Sequence, residues 1–392
     1  MIDPCFFPAL CMDLLLFNER KVTGMKKIKV GIIGCGNISG IYLQNLTSTF
    51  VNTEVWAVCD ILEERAVAAK EKYNVPHMFT IDEMLNCKDI QIVVNLTTPQ
   101  HHYEICKRIL ESGKHAYVEK PLSLTVEQGM ELKNLAAKNN LLLGCAPDTF
   151  LGAGLQTCIK AINDGLIGDV IGATAFMVCH GHESWHPDPE FYYDIGGGPM
   201  FDMGPYYLTA LVSMIGPAKT VAGMTSVTFK QRTITSQKKF GKVIDVKVPT
   251  HVTGNIEFKN GAIATVITSF DVWGSTLPRI EIYGTRGTLL VPDPNTFGGD
   301  VKIRTYFEDE FKNVPLTHIY SENSRGIGVA DMADAIQKNR KNLASGELAC
   351  HVLEIMHAFH ESSEKKAFID LKTDCERPRA LDLGLIKGYV SL

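Results

Sequence analysis

The sequence has no continuous run of 18 apolar residues, which excludes an ordinary transmembrane helix. It also has no surplus of basic residues, since 39 Lys and Arg stand against 44 Asp and Glu, so neither a nucleic-acid nor a membrane partner is expected. No CxxC pair and no paired zinc spacing occurs among the 11 cysteines. Their odd number and scattered spacing argue against a disulfide framework and favour a reducing cytoplasm.

The apolar and charged contents are those of a folded globular chain. Hydrophobic residues make up 45% of the 392 positions and charged residues 21%, which excludes wholesale disorder. A chain of this length is too long for one ordinary core and is about right for two domains.

An apolar segment of 24 residues precedes the first regular pattern. A signal peptide fits it poorly, because the segment begins with Asp3 instead of basic residues, is broken by prolines and by Asp13, and lacks a small-residue cleavage site. We interpret residues 1–24 as an N-terminal extension and Met25 as the natural beginning. A chain that starts at Met25 is expected to fold and work normally.

Short β-branched runs alternate with helical stretches from Ile28 to about Cys145. The strand candidates are IKVGII, EVWAVCD, IQIVVNLT, HAYVEKP and LLLGC, and the stretches between them carry apolar residues at helical spacing. Alternation of this kind builds a parallel, doubly wound sheet. We therefore predict an α/β domain over residues 25–147.

The pattern then changes to strands that are joined by tight turns. NIEFKNGAIATVITSF predicts a hairpin around Asn260 and Gly261, the dipeptide that two-residue hairpin turns prefer, and RIEIYGTRGTLLV predicts a second one. These connections indicate an antiparallel sheet, and helical patterns follow it. Residues 148–392 are predicted to form an α+β domain, with a loop in the polar stretch 233–247.

A glycine-rich turn joins the first strand to the first helix. Gly34 permits the tight turn, and Gly36 lets a pyrophosphate approach the backbone at the helix N-terminus, beside Asn37 and Ile38. Asp60 ends the second strand, close to the spacing expected for the acid that binds the adenosine ribose. A carboxylate there accepts from a 2′-hydroxyl and repels a 2′-phosphate, so NAD is favoured over NADP. The alternative is a strand–helix turn without a ligand.

A charged tripeptide, Glu119-Lys120-Pro121, follows the fifth strand. Ligands of such sheets bind at the carboxyl ends of the strands. An extended segment points Glu119 and Lys120 to opposite sides, so the lysine could contact a reacting oxygen. A surface ion pair is the alternative for these residues.

A run of three glycines and a proline at 196–199 opens a third candidate segment. Glycines at a helix start let the backbone approach a ligand closely. Asp202 and Tyr206 are four residues apart, so they share a helix face if the helix continues through Pro205. The alternative is a plain helix N-terminus with a core tyrosine.

These motifs, in this order, resemble the glucose–fructose oxidoreductase/inositol dehydrogenase family (Gfo/Idh/MocA) from Lys27 onward. That family consists mostly of NAD(P)-dependent oxidoreductases that act on sugars, cyclitols and related alcohols. The resemblance implies a Rossmann domain followed by a domain with a large open, mainly antiparallel sheet. It also implies a homo-oligomer, a dimer or tetramer, that forms through the open sheet.

The resemblance implies roles for individual residues as well. The family's catalytic lysine falls on Lys120 and its ribose-binding glutamate on Glu119. The usual D-x-G-x-H ending is Asp202-x-Gly204-x-Tyr206 here, so tyrosine replaces the common histidine and becomes the acid/base candidate. The remaining cofactor contacts would be Thr97, Thr98, Pro99 and His102.

Two further features bear on the substrate. Asp148 stands where relatives usually carry a basic residue, which suggests a neutral, hydroxyl-rich ligand. The histidine-rich segment HGHESWHPD begins at His180; zinc is one reading of it, but the spacing and the lack of a supporting cysteine argue against a metal. A second reading is a substrate loop in which Trp185 stacks on a sugar while His180 and His186 contact it. A plain loop is the third.

Together these features predict a cytoplasmic NAD-dependent dehydrogenase that oxidises a secondary alcohol on the ring of a sugar, glycoside or cyclitol. Lys120 and Tyr206 would bracket the hydroxyl, Asp202 would hold the substrate or orient the pair, and the lysine ammonium would lower the tyrosine pKa. One alternative is a glycosidase or lyase that uses tightly bound NAD in a transient redox cycle. Another is a non-catalytic NAD-sensing regulator.

Overall fold

A six-stranded parallel sheet forms the core of the first half of the chain. The computed structural model describes residues 26–392, so the predicted extension lies outside the described residues. The sheet order is β3-β2-β1-β4-β5-β6, which places a topological switch point between β1 and β4. The strands are β1 Ile28–Ile33, β2 Thr53–Cys59, β3 His77–Met78, β4 Ile92–Asn95, β5 His115–Val118 and β6 Leu143–Cys145.

Helices cover both faces of this sheet, which is why β1 and β4 are apolar and almost completely buried. A capping box of Thr80 and Glu83 begins α3, and Pro99 lies in the first turn of α4. The predicted doubly wound α/β domain is confirmed. Its helices are α1 Ser39–Ser48, α2 Glu63–Tyr73, α3 Ile81–Asn86, α4 Pro99–Glu111 and α5 Val126–Lys138.

A nine-stranded sheet forms the core of the second half, in the order β16-β15-β14-β13-β7-β12-β11-β8-β17. Only β7 and β12 pair in parallel, so the sheet is mainly antiparallel, as predicted. Both predicted hairpins are present as β11–β12 and β13–β14. The strands are β7 Val170–Val178, β8 Ala218–Ser226, β11 His251–Phe258, β12 Ile263–Ser269, β13 Ile280–Gly284, β14 Gly287–Val291, β15 Val301–Thr305, β16 Lys312–Val314 and β17 Ile369–Asp370.

The stretch 233–247 was predicted to be a loop, and residues 234–242 are a loop with one 3-10 turn, Gln237–Lys239. This loop connects two short strands that were not predicted, β9 Gln231–Thr233 and β10 Val243–Asp245, which pair antiparallel. The apolar residues Ile234 and Ile244 of this stretch are buried.

Helices pack on the inner face of the nine-stranded sheet. The long helix α10 lies between β8 and α5, and thereby joins the two halves of the molecule. The close contact between α10 and β8 requires a glycine on the strand, since a Cβ on Gly223 would lie 2.7 Å from the carbonyl oxygen of Phe359. The helices are α6 Ala153–Asn163, α7 Gly198–Asp202, α8 Gly204–Ile215, α9 Ile327–Lys338 and α10 Gly346–Lys365.

The chain returns to the first sheet near its C-terminal end. The Asn45 amide donates to the carbonyl oxygens of Asn323 and Arg325, at 2.9 Å each. The Asn52 amide donates to that of Ala330 at 2.8 Å. The segment that enters α9 therefore packs on the Rossmann domain, although the sequence pattern placed all of it in the second domain. Among residues 26–392, no helix is both long and apolar enough to cross a membrane.

Candidate active site

The predicted glycine turn lies at the switch point of the parallel sheet. Gly34 has φ +97°, and a Cβ there would lie 2.8 Å from the backbone of Leu96, so glycine is required. Gly36 faces open space, with no atom within 4 Å of where its Cβ would be. Asn37 is exposed and Ile38 partly exposed in the same turn. The turn therefore leaves room for a pyrophosphate, and its residues fit a dinucleotide.

Asp60 fixes this turn from the end of β2. One carboxylate oxygen accepts the Cys35 N–H at 2.7 Å, and the other accepts the Leu62 N–H at 2.8 Å. The side chain remains partly exposed. Asp60 thus stabilises the turn, and its partly exposed side chain follows the carboxyl end of β2.

The segment that follows β4 lies at the same edge of the parallel sheet as the glycine turn and Asp60. Thr97 donates its hydroxyl to Asn95 at 2.6 Å, and Thr98 and Pro99 begin α4. His102 is fully buried, and its ring nitrogens lie 3.0 Å from the Thr97 carbonyl oxygen and 2.6 Å from that of Pro121. The predicted contact of His102 with the cofactor is not supported, because the imidazole is buried and contacts the backbone segments that follow β4 and β5.

Glu119 and Lys120 point in different directions, as expected for an extended segment. The Glu119 carboxylate is buried; it accepts the Tyr42 hydroxyl at 2.8 Å and the Lys120 backbone N–H at 3.0 Å. Tyr42 lies on α1, which follows the glycine turn. Glu119 therefore links the segment of Lys120 to the helix that follows the glycine turn.

Lys120 and Asp202 form a partly buried ion pair across the two domains. The Lys120 Nζ lies 2.9 Å from the Asp202 carboxylate and 2.6 Å from its backbone carbonyl oxygen. Burial opposes the charge on Lys120, but the Asp202 carboxylate outweighs it and raises the lysine pKa above its ordinary value. Burial likewise opposes the charge on Asp202, yet Lys120 holds the pKa of Asp202 at about 2. The pair is ionised at neutral pH.

Tyr206 lies beside this pair, with Lys120 Nζ 5.4 Å from the ring centre. Burial raises the pKa of Tyr206, and the nearby Lys120 ammonium opposes that rise without reversing it. The predicted net lowering of the tyrosine pKa is therefore wrong. The helix does not continue through Pro205: α7 ends at Asp202 and α8 begins at Gly204.

The run of glycines before α7 serves backbone packing. Gly198 has φ +83°, and a Cβ there would lie 2.9 Å from the Pro249 carbonyl oxygen. A Cβ on Gly197 would lie 2.5 Å from that of Phe191. These glycines therefore allow close packing against two other segments of the chain, in place of the predicted close approach to a ligand.

Asp148 has a structural role in place of the predicted substrate contact. It is buried, and one carboxylate oxygen accepts the N–H groups of Gly326 and Gly328 at 2.9 and 3.0 Å. These groups belong to the start of α9. Burial raises the pKa of Asp148 to about 6, against the lowering effect of the two N–H groups. Arg325 precedes this turn and lies beside the Tyr206 hydroxyl.

The structure brings His182, and not its two neighbours in the motif, to the ion pair. Its Nε2 lies 3.5 Å from the second carboxylate oxygen of Asp202. His180 stacks on Trp273 instead, with 3.3 Å between ring centres. His186 makes its polar contact with the backbone N–H of Asp188 at 3.0 Å. The predicted substrate contacts of His180 and His186 are thus not supported by these geometries.

The strand β7 ends before the histidine-rich segment begins. β7 ends at Val178, and Gly181 has φ +76°, so His180 and His182 do not continue one face. Trp185 is 62% exposed and lies edge-on to His182 at 5.3 Å, so it stays available as a stacking surface. Within the described part of the chain, no three potential ligands cluster in a way that could hold a metal ion.

Three site residues were missed because their contacts are distant in sequence. Tyr42 lies in an ordinary amphipathic helix, and Arg325 precedes α9 without a motif. Only His182 stood within a motif that drew attention. The site thus combines the Lys120–Asp202 ion pair with Tyr206 and the His182 imidazole, and the Glu119–Tyr42 hydrogen bond connects it to the helix after the glycine turn.

Two family descriptions match the chain. The oxidoreductase family with an NAD-binding Rossmann fold, Gfo/Idh/MocA, matches residues 28–146, and the Gfo/Idh/MocA C-terminal domain matches residues 155–290. The two matches follow the order of the two sheets.

Named relatives and solved structures cover most of the chain. The D-glucoside 3-dehydrogenase of Escherichia coli K12 is 25% identical over 88% of this chain and 97% of its own length. The scyllo-inositol 2-dehydrogenase (NADP(+)) of Bacillus subtilis 168 is 21% identical over 92% of this chain and 100% of its own. The structure of levoglucosan dehydrogenase in complex with NADH has a TM-score of 0.75 at 19% identity, and the match covers 89% of this chain and 100% of that one.

Proposed function

Because the chain belongs to the Gfo/Idh/MocA family of NAD-binding oxidoreductases, we propose that it is an NAD-dependent dehydrogenase acting on a ring secondary alcohol of a sugar, glycoside or cyclitol. The observation that carries the proposal is the partly buried Lys120–Asp202 pair, with its 2.9 Å contact beside Tyr206 at the edge of the sheet that carries the glycine turn. The dehydrogenases named above act on glucosides and inositols, which supports this substrate class.

The charges of the site suggest separate tasks for its residues. When bound, NAD supplies the hydride acceptor for the carbinol carbon. Asp202 keeps Lys120 in the ammonium form, which stabilises negative charge that develops on the substrate oxygen. Tyr206 is the group that takes the hydroxyl proton, and the rise of its pKa through burial means that it does so best at alkaline pH.

The cofactor preference is part of the proposal. Asp60 presents a carboxylate at the end of β2, and the following residues are Ile61 and Leu62, with no basic side chain among them. A carboxylate at this place repels a 2′-phosphate, so we expect NAD to be preferred over NADP. The name of the Bacillus subtilis relative specifies NADP(+), so the preference of this protein for NAD has to be measured.

The open sheet supports the proposal of a homo-oligomer, a dimer or tetramer. The register places Met224, Thr253, Ile267 and Phe176 in one row across β8, β11, β12 and β7, and side chains in such a row share one face. Met224 is 75% exposed in the single chain. Met224→Lys should therefore weaken self-association, which light scattering would detect.

We also infer that the protein resides in the cytoplasm. The nine cysteines of the described residues are all free thiols, as expected in a reducing compartment. Fractionation of cells that produce the protein tests this inference.

The function is tested by NAD-linked turnover over a panel of free sugars, inositols and methyl glycosides. We expect NADH to accumulate with at least one of them. Lys120→Met should retain NAD binding while kcat falls by roughly 10²-fold or more, whereas Lys107→Met should be unaffected, because Lys107 pairs with Glu131 on the surface. Cleavage of a glycoside without net NADH release would instead indicate a transient redox cycle, and NAD binding without any turnover would indicate a sensor.

A further inference from the structure

A cavity borders the loop that follows β7. Its volume is about 490 Å³, which is within the roughly 300–1,000 Å³ range of small-molecule sites. Gly181 and Glu183 line it, whereas His182 between them reaches Asp202 instead. The cavity is therefore separate from the Lys120–Asp202 pair, although one short segment of the chain borders both.

Aromatic rings form one wall of this cavity. The rings of His180 and Trp273 stack with 3.3 Å between their centres and 15° between their planes. Phe229 lies edge-on to His180 at 5.9 Å. His180 covers one face of the indole, yet 83% of Trp273 is exposed, so the opposite face of its ring is open. The wall thus offers a flat aromatic surface that a neighbouring ring supports from behind.

The charged groups at the cavity bond to one another. Arg232 Nη1 donates to Glu183 at 2.8 Å, and Nη2 donates to the Phe270 carbonyl oxygen at 2.8 Å and to the Asp271 carboxylate. Glu183 also accepts the Tyr193 hydroxyl at 2.7 Å. Only 3% of the Arg232 side chain is exposed. Because this guanidinium already neutralises two carboxylates, the cavity is unsuited to a phosphate or a carboxylate ligand.

The other polar side chains of the cavity are neutral. Ser184, Gln231 and Thr233 line it and are exposed. The Gln231 amide already donates to Asp245 at 2.9 Å. The hydroxyls of Ser184 and Thr233 can each both donate and accept a hydrogen bond. The cavity thus combines an open aromatic face with uncharged hydroxyl groups.

We propose that this cavity is a carbohydrate-binding site, in which a neutral pyranose ring packs on the open face of Trp273 and forms hydrogen bonds with Ser184 and Thr233. The C–H groups of a pyranose form an apolar face that can cover the indole, and its hydroxyls lie at the ring edge. A purely aromatic ligand would bury the hydroxyls of the cavity without partners, which costs binding free energy. The inference goes beyond the proposed dehydrogenase function and does not depend on it.

The indole resonances of the three tryptophans test the proposal in the full-length protein, because each reports a different place. Titration with methyl β-D-glucopyranoside or cellobiose should shift the indole N–H resonance of Trp273 saturably, in the millimolar range. Trp56 should not respond, since it lies on β2 with Lys29 Nζ 3.3 Å from its ring centre. Trp273→Phe assigns the resonance. A shift confined to Trp185, which lies beside His182, or no shift at all overturns the proposal.

A pair of variants tests the predicted hydrogen bond. Thr233→Val keeps the shape of the side chain and should weaken sugar binding at Trp273 by about fivefold, whereas Thr233→Ser keeps the hydroxyl and should stay within about twofold. Equal affinity in Thr233→Val and Thr233→Ser would show that the hydroxyl does not contact the ligand and overturns the proposed binding mode.

Two other ligands test the chemical class. Glucose 6-phosphate and phenol should each bind at Trp273 at least about tenfold more weakly than the methyl glucoside. Equal or tighter binding of either ligand overturns the assignment to a neutral sugar. If the Trp273 resonance responds but no sugar is oxidised, the proposed function fails and this site stands. Sugar oxidation without that response overturns this site alone.

Discussion

Replacing Asp202 with asparagine is the most direct test of how the ion pair works. The substitution keeps the shape of the side chain and removes the charge that faces Lys120 Nζ at 2.9 Å. Burial disfavours the lysine ammonium, and Asp202 is the main group that opposes this effect. In Asp202→Asn the desolvation of Lys120 therefore loses the main effect that compensates it.

The size of the effect follows from the pKa of Asp202, which the site lowers from 3.8 to about 2. A net shift of roughly two units corresponds to about 2.5 kcal/mol, and because burial opposes it, this is a lower bound on the attraction between the carboxylate and its neighbours. Because the interaction is mutual, the lysine should lose a similar amount of stabilisation when the carboxylate is removed. We expect the pKa of Lys120 in the variant to fall, because burial is the largest single effect on it and only Tyr206 and Glu119 then oppose burial.

The assay is the pH dependence of kcat/KM for alcohol oxidation. In the unmodified protein Lys120 stays charged over the accessible range, so activity should rise toward alkaline pH as Tyr206 becomes able to accept a proton. In Asp202→Asn the lysine should lose its proton within that range, and a descending alkaline limb should appear.

The control for this experiment is Asp164→Asn, which removes a surface ion pair with Lys160 and should leave the profile unchanged. A profile for Asp202→Asn that keeps the shape of the unmodified protein, at any overall rate, would refute the proposed electrostatic role. A uniform loss of rate at every pH would show that Asp202 only holds geometry.

Three further changes have defined outcomes. Asp60→Ser should erode an NAD preference that we expect to be at least about tenfold, or 1.4 kcal/mol; equal kcat/KM for NADP and NAD in the unmodified protein contradicts the expectation. Tyr206→Phe should lower kcat roughly 10²-fold with little change in NAD affinity, whereas Tyr207→Phe, whose hydroxyl lies 3.5 Å from Arg279, should not; a loss below about threefold excludes Tyr206 as the proton acceptor. Asp148 has its folded pKa raised to about 6, so folding stability should decrease by up to about 3 kcal/mol as the pH rises from about 4 to about 6. Denaturant unfolding should show this decrease in the unmodified protein and not in Asp148→Asn; a decrease of equal size in both would disprove the assignment.

The sequence by itself determined the first sheet and the cofactor edge. Parallel strands buried on both faces leave a strong pattern of apolar runs and intervening helices, and the turn at Gly34 requires glycine for a local steric reason. Lys120 and Asp60 follow strands directly, so the rule that ligands bind at carboxyl ends of parallel strands was enough to place them. At these positions the local sequence pattern and the tertiary fold favour the same structure.

Only the tertiary structure decided how the rest of the site is assembled. His102 and Asp148 are polar residues that lie in sequence motifs. Both are nevertheless buried, and their polar atoms form hydrogen bonds with backbone groups that are remote in the sequence or follow a different strand. His182 approaches Asp202 from a loop that contains the left-handed turn at Gly181, and these two residues are far apart in the sequence. The pKa of Tyr206 depends on burial, which outweighs the nearby ammonium. Desolvation and long-range hydrogen bonding are properties of the packed molecule, so no local sequence pattern could have shown them.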